Sequence, residues 1–274
     1  MDVEDWYHGY FSGYPDLDKS VSLMDGLDKM LAVMEEEGIH GSFFVLGELA
    51  ESLAQKLRSM DAAGHEIACH GQTHTPPLSL SPDEYKKELQ TAKRELEAIL
   101  RHSVDGYRAP YFSLDDARLA LVRDAGFGYD ASYIKPQISK KYGSLSLEGF
   151  RQTSPCVYES GGFTEMETST VRLGPMHMLL GGGYLRMLPW FFMKFMTKKY
   201  LATGQPYVMY IHPIDLSGQQ IPKVKHISLN KYLRSRIGRK TLLRRIRKLI
   251  CLLRENGYEF VTLAELRRLR PPQQ

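Results

Sequence analysis

The sequence contains no run of about 18 apolar residues, so no transmembrane helix is predicted. It also lacks, at its start, the basic and then apolar pattern of a secretory signal. Cysteine is scarce, and the three residues indicate neither a disulfide framework nor a cysteine metal site, because their number is odd and their spacing is wide. Free thiols are typical of a reducing compartment, and we therefore expect a cytoplasmic protein.

What the sequence does contain is a repeated alternation of strand and helix patterns. Strands are predicted at residues 41–47, 66–69, 104–109, 207–211 and 258–261. Helices are predicted at residues 20–37, 48–63, 81–101, 114–125, 190–200 and 240–255. Such alternation favours an α/β fold with a parallel sheet or an α/β barrel. Residues 135–190 interrupt it with glycine-rich turns, which indicates a loop and hairpin insertion.

Two histidines follow the short apolar stretch at residues 66–69. His70 and His74 stand four positions apart, which places both imidazoles on one side of a helix or tight turn. They would lie at the carboxyl end of a strand, where parallel α/β proteins place their chemistry. Two imidazoles that face one point are a common beginning of a zinc site. Taken alone, however, such a pair is more often part of a surface loop.

Three carboxylates stand within the first five residues, at Asp2, Glu4 and Asp5. Like charges this close repel one another, so they need a cation or a raised pKa unless they form a solvated acidic turn. If the stretch is a strand, it ends in acids that can meet the histidine pair. A strand that begins at residue 1 is short for a central barrel strand. We therefore expect residues upstream of Met1, and a leader there stays open.

Two more predicted strand ends carry polar groups. One leads into Arg108, Pro110 and Tyr111, and the other leads into His212. A salt bridge for Arg108 and a packed core position for His212 are the structural alternatives. Polar groups at four strand ends of one α/β chain nevertheless favour a shared active site.

With these motifs the chain resembles the polysaccharide deacetylases of carbohydrate esterase family 4, which include chitooligosaccharide deacetylases. The resemblance covers about residues 1–265, and its ordered motifs are Asp2-Val3-Glu4-Asp5, His70-Gly71-Gln72-Thr73-His74, Arg108-Ala109-Pro110-Tyr111, an acidic fourth motif and Ile211-His212-Pro213. The form of the first motif and the Gly-Gly-Gly-Tyr-Leu-Arg run at 181–186 resemble the subgroup linked to bacterial exopolysaccharide synthesis. The fourth motif departs most, because the usual Asp and Trp are absent and only Glu165 and Asp130 are candidates.

The resemblance implies a distorted (β/α) barrel and a single catalytic domain over residues 1–274, with an insertion at about 135–190 and a basic helix at about 240–255. It implies metal-dependent removal of N-acetyl groups from an N-acetylated polysaccharide or a lipid-linked oligosaccharide. Two alternatives stay open. One is hydrolysis of another small amide, as in allantoinase-like relatives that share the barrel. The other is a catalytically silent carbohydrate-binding barrel.

Roles for single residues also follow from the resemblance. The histidine pair and one carboxylate, either Glu4 or Asp5, would bind one divalent ion, with zinc expected, and leave positions open for water and substrate. Asp2 would be the general base, held ionised by Arg108. His212 would be the general acid that protonates the leaving amine.

Further roles concern the substrate and the surroundings of the acid. The backbone N–H of Tyr111 would help to bind the oxyanion. A nearby carboxylate would tune His212. Glu165 and Asp130, the candidates for the fourth motif, are expected in the surroundings of the reacting residues. Substrate contacts are assigned to Pro110, Tyr184 and Arg186. The last two are equally typical of turn structure, so the structural alternative stays open for them.

The formal charge of +4 is unevenly distributed, because residues 223–270 are rich in Lys and Arg and contain no acid before Glu255. The apolar residues at 242–253 fall on one helical face, which can pack on the barrel. The opposite face would then present the bases together. We expect peripheral contact with an anionic membrane surface, with solvated charge as the alternative. No nucleic acid partner is expected, because aromatic residues are not interleaved with these bases.

Overall fold

The structure, a computed structural model, describes residues 1–135, 143–174 and 176–269. These residues form two compact units. One consists of Met1–Ile39 and Ser169–Phe260, and the other consists of His40–Thr168 and the residues from Val261 onward. Within the described ranges, no helix has the length and apolar character needed to cross a membrane.

Strands and helices alternate along the described chain, which confirms the α/β class. The strands are β1 (Asp2–Val3), β2 (Ser42–Val45), β3 (Glu66–Cys69), β4 (Gly106–Tyr107), β5 (Tyr129–Ile134), β6 (Arg151–Ser154), β7 (Val157–Ser160), β8 (Phe163–Thr168), β9 (Thr170–Leu173) and β10 (Met176–Leu179). The helices are α1 (Asp25–Glu37), α2 (Gly47–Ala50), α3 (Ala54–Ala62), α4 (Pro82–Leu100), α5 (Asp116–Asp124), α6 (Gly182–Met187), α7 (Trp190–Leu201), α8 (Pro213–Leu216), α9 (Leu229–Arg236), α10 (Arg239–Glu255) and α11 (Leu263–Arg268). Short 3-10 turns lie at Pro77–Ser79 and Pro110–Phe112.

The unit that begins at His40 is built on a largely parallel sheet. Its strands run in the order β2-β3-β4-β5-β8-β7-β6, in which β2 to β5 and β8 are parallel and β7 and β6 add an antiparallel hairpin. The residues of β2 at Phe43, Phe44 and Val45 are all buried, which is the pattern of a strand covered on both faces. Leu263 of α11 packs on the buried residues of the strands, so α11 completes this core.

The unit that begins at Met1 holds β1, the β9–β10 hairpin, α1 and α6 to α10. The backbone N–H of Asp2 donates to the carbonyl of Ile211 at 2.9 Å, which fixes the acids of the first motif beside the segment that leads to His212. Its core includes Trp6, Phe11, Leu23, Ile214 and Ile221. The aromatic loop after β1 is therefore a packed element of this unit.

Most helices lie where the sequence predicts them. α4 begins behind a capping box in which Ser81 accepts from the N–H of Glu84 and donates its own N–H to the Glu84 carboxylate. α10 spans Arg239–Glu255, within one residue of the predicted helix. The helix predicted at 48–63 is instead divided into α2 and α3 by a turn at 51–53.

Two of the predicted strands are wrong, because residues 207–211 and 258–261 form no strand. At the first of these segments, the carbonyl of Val208 accepts from the N–H of Ser169, but the N–H of Val208 donates to the Ser169 hydroxyl. A side-chain acceptor in place of a carbonyl interrupts the regular ladder of a sheet. The apolar pattern at residues 207–211 therefore indicates burial, and it does not indicate that the segment pairs as a strand.

The region expected as an insertion contains the hairpins β6–β7 and β9–β10. It also contains β8, which pairs in parallel with β5 and so belongs to the main sheet. Residues 136–142 and Pro175 of this region, and Arg270 of the basic tail, lie outside the described residues. A single domain with an insertion stays a prediction.

The bases of α10 differ from the sequence expectation. The helix buries an apolar face as predicted, but only some of its bases face solvent. Among them, Lys240, Arg244 and Lys248 are exposed and stand four positions apart. Arg239 and Arg245 donate to backbone carbonyls of neighbouring segments. Arg247 pairs with Glu36, and Arg254 pairs with a second acid of α1. The sequence around α10 does not show these partners, because they come from distant parts of the chain.

The β5–β8 pairing brings two carboxyl groups opposite each other inside the sheet. Asp130 and Glu165 are register partners, and both are fully buried. The N–H and hydroxyl of Ser132 donate to Asp130, and Glu165 accepts the N–H groups of Ser132 and Tyr133. Burial raises the pKa of Asp130 to about 6, and burial together with the charge of Asp130 raises the pKa of Glu165 well above its ordinary value. The facing carboxyls therefore share a proton near neutral pH.

This shared proton predicts a pH-dependent stability. A carboxyl whose pKa is raised by folding contributes stability that is present below its unfolded pKa and is lost as the pH rises through its folded pKa. The variant Glu165→Gln keeps a neutral hydrogen-bond donor beside Asp130, so it should escape this loss. As the pH rises, the free energy of unfolding of the variant should therefore increase relative to that of the wild type by about 1.4 kcal/mol or more. This is the free energy that corresponds to one tenfold change in proton affinity.

Urea unfolding at acidic and at neutral pH measures the difference. An exposed control, Glu51→Gln, should follow the wild type at both values. Equal pH slopes for the wild type and Glu165→Gln would contradict the shared proton.

Candidate functional site

The histidine pair lies just beyond the carboxyl end of β3. The chain leaves the strand through Gly71 at a φ of 82°, and His74 itself has a φ of 61°. The two imidazole centroids are 5.1 Å apart. His70 and His74 therefore lie in one tight turn and not on a helix. The left-handed backbone conformation of His74 costs on the order of 1 kcal/mol, because His74 is not a glycine.

The protonation of His70 follows from its hydrogen bond. Its Nδ1 lies 2.8 Å from the carbonyl oxygen of Arg108. Because a carbonyl only accepts, Nδ1 carries the proton, and the lone pair of a neutral ring lies on Nε2. Metal-binding histidines in proteins are commonly held by such a bond. β4 thus orients the side chain that β3 supplies.

Three side chains in the described part of the chain could hold a metal ion together. They are Glu4, His70 and His74, and each offers one ligand atom within 4.8 Å of the other two. All three are buried. Two neutral imidazoles and a carboxylate are a donor set for a zinc-type divalent ion, with positions left for water and substrate. The residues present therefore fit the ion that the resemblance implies.

The alternative ligand, Asp5, has other contacts. Its carboxylate accepts the N–H groups of Trp6 at 2.8 Å and of Leu23 at 2.9 Å. Its own N–H donates to Nδ1 of His8 at 2.9 Å. These charge-assisted bonds tie the aromatic loop after β1 to the residues before α1. Of the two acids that the sequence leaves open, Glu4 is the one in the metal-binding group.

The end of β4 supplies Arg108 and a strained turn. Arg108 is buried, with its Nε donating to the carbonyl of Ala131 at 3.0 Å and its guanidinium 4.1 Å from the ring centroid of Phe44. Tyr111 follows at a φ of 58°, and its ring contacts His74 with the centroids 4.6 Å apart. Such strain is often found where a backbone group serves a site.

His212 precedes α8 and contacts carboxylates on both ring nitrogens. Its Nδ1 lies 3.3 Å from Asp215, and its Nε2 lies 3.9 Å from Asp2 and from Glu4. Burial by itself would lower the pKa of His212. The hydrogen bond to Asp215 and the charges of Glu4, Asp215 and Asp2 outweigh burial and raise the pKa to about 9. The imidazole is thereby kept in the protonated form that can donate a proton.

Asp215 is held in turn by Arg186. The Nε of Arg186 lies 2.9 Å from the Asp215 carboxylate, and the guanidinium also donates to the carbonyls of Ile237 and Arg234 at 2.6 Å each. The Arg186 side chain is only 1% exposed. Burial would raise the pKa of Asp215, but His212 and Arg186 lower it. Arg186 therefore positions the carboxylate that orients His212.

Asp215 is the residue that the sequence analysis missed. It lies in the third position of α8 and closes a capping box with His212. The spacing of three residues across a proline was the available signal, but this motif does not identify an acid on its own. The fourth-motif candidates, Glu165 and Asp130, lie on the paired strands β8 and β5. Substrate contacts through Pro110, Tyr184 and Arg186 stay predictions; Tyr184 is exposed on α6.

Helix α1 packs against α8. A Cβ at Gly26 would overlap the carbonyl and Cα of Pro213, so only glycine allows this close approach. The neighbouring Asp25 accepts the hydroxyl of Ser217 and, at 2.9 Å, the N–H of Gly218. Both ends of α8, and with them the histidine that precedes it, are therefore fixed by one helix.

Two family models match successive parts of the chain. Residues 18–129 match the model described as polysaccharide deacetylase. Residues 132–267 match a domain of unknown function, DUF3473. The boundary between the matches falls inside β5.

Curated relatives carry related names. A peptidoglycan deacetylase of Helicobacter pylori is 21% identical over 117 residues, which are 43% of this chain and 40% of the relative. A chitooligosaccharide deacetylase of Sinorhizobium fredii is 32% identical over 103 residues, which are 36% of this chain and 46% of the relative. The chain thus spans less than half the length of these two relatives.

Solved structures share the fold. A polysaccharide deacetylase structure from Mycobacterium smegmatis has a TM-score of 0.58 at 19% identity. The match covers 91% of this chain and 82% of the chain in that structure. A CE4 family pseudoenzyme from Bacillus anthracis has a TM-score of 0.53 at 15% identity over 89% of this chain and 60% of its own. An allantoinase has a TM-score of 0.55 at 15% identity over 89% and 71%. The fold is the distorted (β/α) barrel type of these proteins. In sequence, residues 18–129 are similar to the polysaccharide deacetylase family, and residues 132–267 are similar to a domain of unknown function.

Proposed function

We propose that the protein removes N-acetyl groups from amino-sugar residues of a polysaccharide, or of its lipid-linked precursor, by metal-dependent hydrolysis. The observation that carries the proposal is the group of Glu4, His70 and His74 in a chain whose residues 18–129 match the polysaccharide deacetylase family. The relatives named as peptidoglycan and chitooligosaccharide deacetylases support this reaction class. We assign the whole chain to one catalytic domain and the polymer to the exopolysaccharide class, as the sequence motifs imply.

In this proposal, Glu4, His70 and His74 hold one divalent ion, with zinc as the expected species. When bound, such an ion polarises the amide carbonyl and lowers the pKa of a water molecule. His70 contributes Nε2, because the carbonyl of Arg108 occupies its other nitrogen.

Asp2 acts as the general base that accepts a proton from the attacking water. Its carboxylate is buried, and a buried carboxylate needs positive charge nearby to stay ionised. Arg108, itself buried, supplies that charge in the proposal. The backbone N–H of Tyr111, in the strained turn after β4, binds the developing oxyanion.

His212 acts as the general acid. The hydrogen bond and the charge of Asp215 raise the pKa of His212 and so favour the protonated ring, which can deliver a proton to the leaving amine. Asp215 accepts the bond from Nδ1, so that Nε2 is the nitrogen that donates. Arg186 holds Asp215 ionised and in place.

Two other functions are tested by the same experiment. The allantoinase and the pseudoenzyme have the same fold, and at their low identity that likeness extends to the fold alone. An allantoinase-like enzyme would hydrolyse a small cyclic or linear amide and leave acetylated sugars intact. A silent barrel would bind sugar without turnover, with or without metal.

The first test of the proposed function is acetate release from an N-acetylglucosamine oligomer. We expect release that is lost after treatment with a chelator and restored by added zinc, because a divalent ion supplies the Lewis acid. Allantoin serves as the substrate of the competing reaction. Hydrolysis of allantoin alone, or binding of the oligomer without acetate release in the presence of zinc, would reject the proposal.

The ligand set is tested by metal content. His70→Ala and His74→Ala should each lose most of the bound ion, since three protein ligands are the minimum of a catalytic zinc site. Plasma mass spectrometry of protein dialysed against zinc gives the stoichiometry. His40→Ala, an exposed histidine, is the control and should bind like the wild type. Unchanged metal in both site variants would remove the metal assignment.

The base and the acid are tested with variants that keep the ligands. Asp2→Asn and His212→Ala should each lower turnover by about 100-fold or more, because proton transfer by a positioned side chain contributes that much. Metal content should stay at the wild-type level in both. Asp124→Asn, exposed on α5, should retain full activity. Loss of metal from Asp2→Asn would identify Asp2 as a ligand and overturn its role as the base.

A further inference from the structure

α7 presents an unusual outer face. Phe191 and Phe195 are 76% and 60% exposed, one helical turn apart, and the exposed Lys194 and Lys198 lie in the same stripe. The opposite face packs inward through Met193, Met196, Tyr200 and Leu201. The helix is therefore anchored by one face, and two large aromatic side chains flanked by lysines point outward. This stripe of Phe191, Lys194, Phe195 and Lys198 is called the α7 stripe below.

Acids are scarce in the sequence on either side of α7. Asp215 is the only acid in the sequence between Glu167 and Glu255, and it is buried against Arg186. α7 itself has no acid. Within the described part of the chain, Lys194 and Lys198 take part in no ion pair. Their positive charge is thus available to an external anion.

α10 extends the basic environment of the stripe. Lys248 is exposed, and its ammonium lies 5.9 Å from the ring centroid of Trp190, the first residue of α7. The arginines of α10 that pair with α1 or with backbone carbonyls do not take part. Lys248 therefore adds an exposed cation of α10 beside the first turn of α7.

We propose that the α7 stripe binds the surface of a bilayer that contains anionic lipid. Phe191 and Phe195 enter the boundary between headgroups and acyl chains, and Lys194, Lys198 and Lys248 contact the headgroup phosphates. An interfacial helix with bulky apolar residues and lysines on one accessible face matches this environment. The lysines gain from the negative potential of the leaflet, and their long stems let the charge stay at headgroup level.

Charge complementarity favours a bilayer over a second copy of the chain. Two copies that met through the α7 stripe would bring Lys194 and Lys198 of one protomer against those of its partner, and like charges in an interface are unfavourable. A carbohydrate polymer is less complementary, because phenylalanine has no polar group to bond sugar hydroxyls. An anionic bilayer satisfies both parts of the stripe, the apolar part by burial and the basic part by charge.

The test is sedimentation of the full chain with vesicles of phosphatidylcholine alone, or of phosphatidylcholine with phosphatidylglycerol. We expect binding to the mixed vesicles at low salt, weak binding to the neutral ones, and a fall in binding as salt rises. The double variant Phe191→Ser with Phe195→Ser should lower the partition coefficient by about tenfold or more. Lys194→Glu with Lys198→Glu should lower binding to mixed vesicles to a similar degree and leave binding to neutral vesicles unchanged.

Matched controls lie in the other unit. Leu269→Ser removes an exposed apolar side chain that is 57% accessible, and Lys86→Glu with Lys87→Glu reverses two exposed lysines of α4. Both controls should bind mixed vesicles like the wild type. Thermal melts show that each variant is folded, which is expected because the packed face of α7 is untouched.

Three results would overturn the proposal. The first is wild-type binding by both α7 double variants, and the second is equal binding of the wild type to neutral and mixed vesicles at low salt. The third is a doubled mass in light scattering without vesicles that the phenylalanine variant abolishes, which would make a second copy the occupant. Because no readout uses turnover, a failure here leaves the proposed deacetylation untouched, and the reverse also holds.

Discussion

The cost of burying charge governs much of this molecule. An isolated ion taken out of water loses several kcal/mol, so a buried charge persists only with a close partner or with its proton retained. The molecule shows both solutions. Arg186, Asp215 and His212 form an alternating series of charges behind the candidate acid. Asp130 and Glu165 instead share a proton, since two facing carboxylates cannot both ionise.

Sequence reasoning succeeded where spacing along the chain determines geometry. His70 and His74 follow a four-residue strand, and parallel strands deliver such residues to one edge. It also recovered the longer helices, such as α4 and α10, because their caps and apolar periods are local signals. It left the choice between Glu4 and Asp5 open, since the sequence does not show which of two adjacent carboxylates accepts hydrogen bonds from backbone N–H groups. It missed Asp215 for a related reason: its partner Arg186 is distant in sequence.

The basic segments show how burial decides which charges face solvent. The helical period of α10 correctly predicts its apolar face. The helical period contains no information about acids on α1 or carbonyls of α6. These groups bind arginines of α10, such as Arg247 and Arg245. α7 shows the reverse case. Its aromatic residues are typical of core packing, yet Phe191 and Phe195 are exposed. Amphipathic patterns therefore identify a buried face more reliably than they identify the use of the other face.

The contact between Gly26 and Pro213 makes the position of His212 depend on α1. Because a side chain at position 26 would displace the backbone that follows the histidine, this glycine is coupled to the histidine although it bears no reactive group. The constraint passes through main-chain atoms, so repacking of neighbouring side chains cannot relieve it. Comparison of active and inactive members of this fold would therefore be incomplete if it considered the reactive residues alone. A chain that kept all of them and replaced this glycine would retain the motifs and lose their alignment.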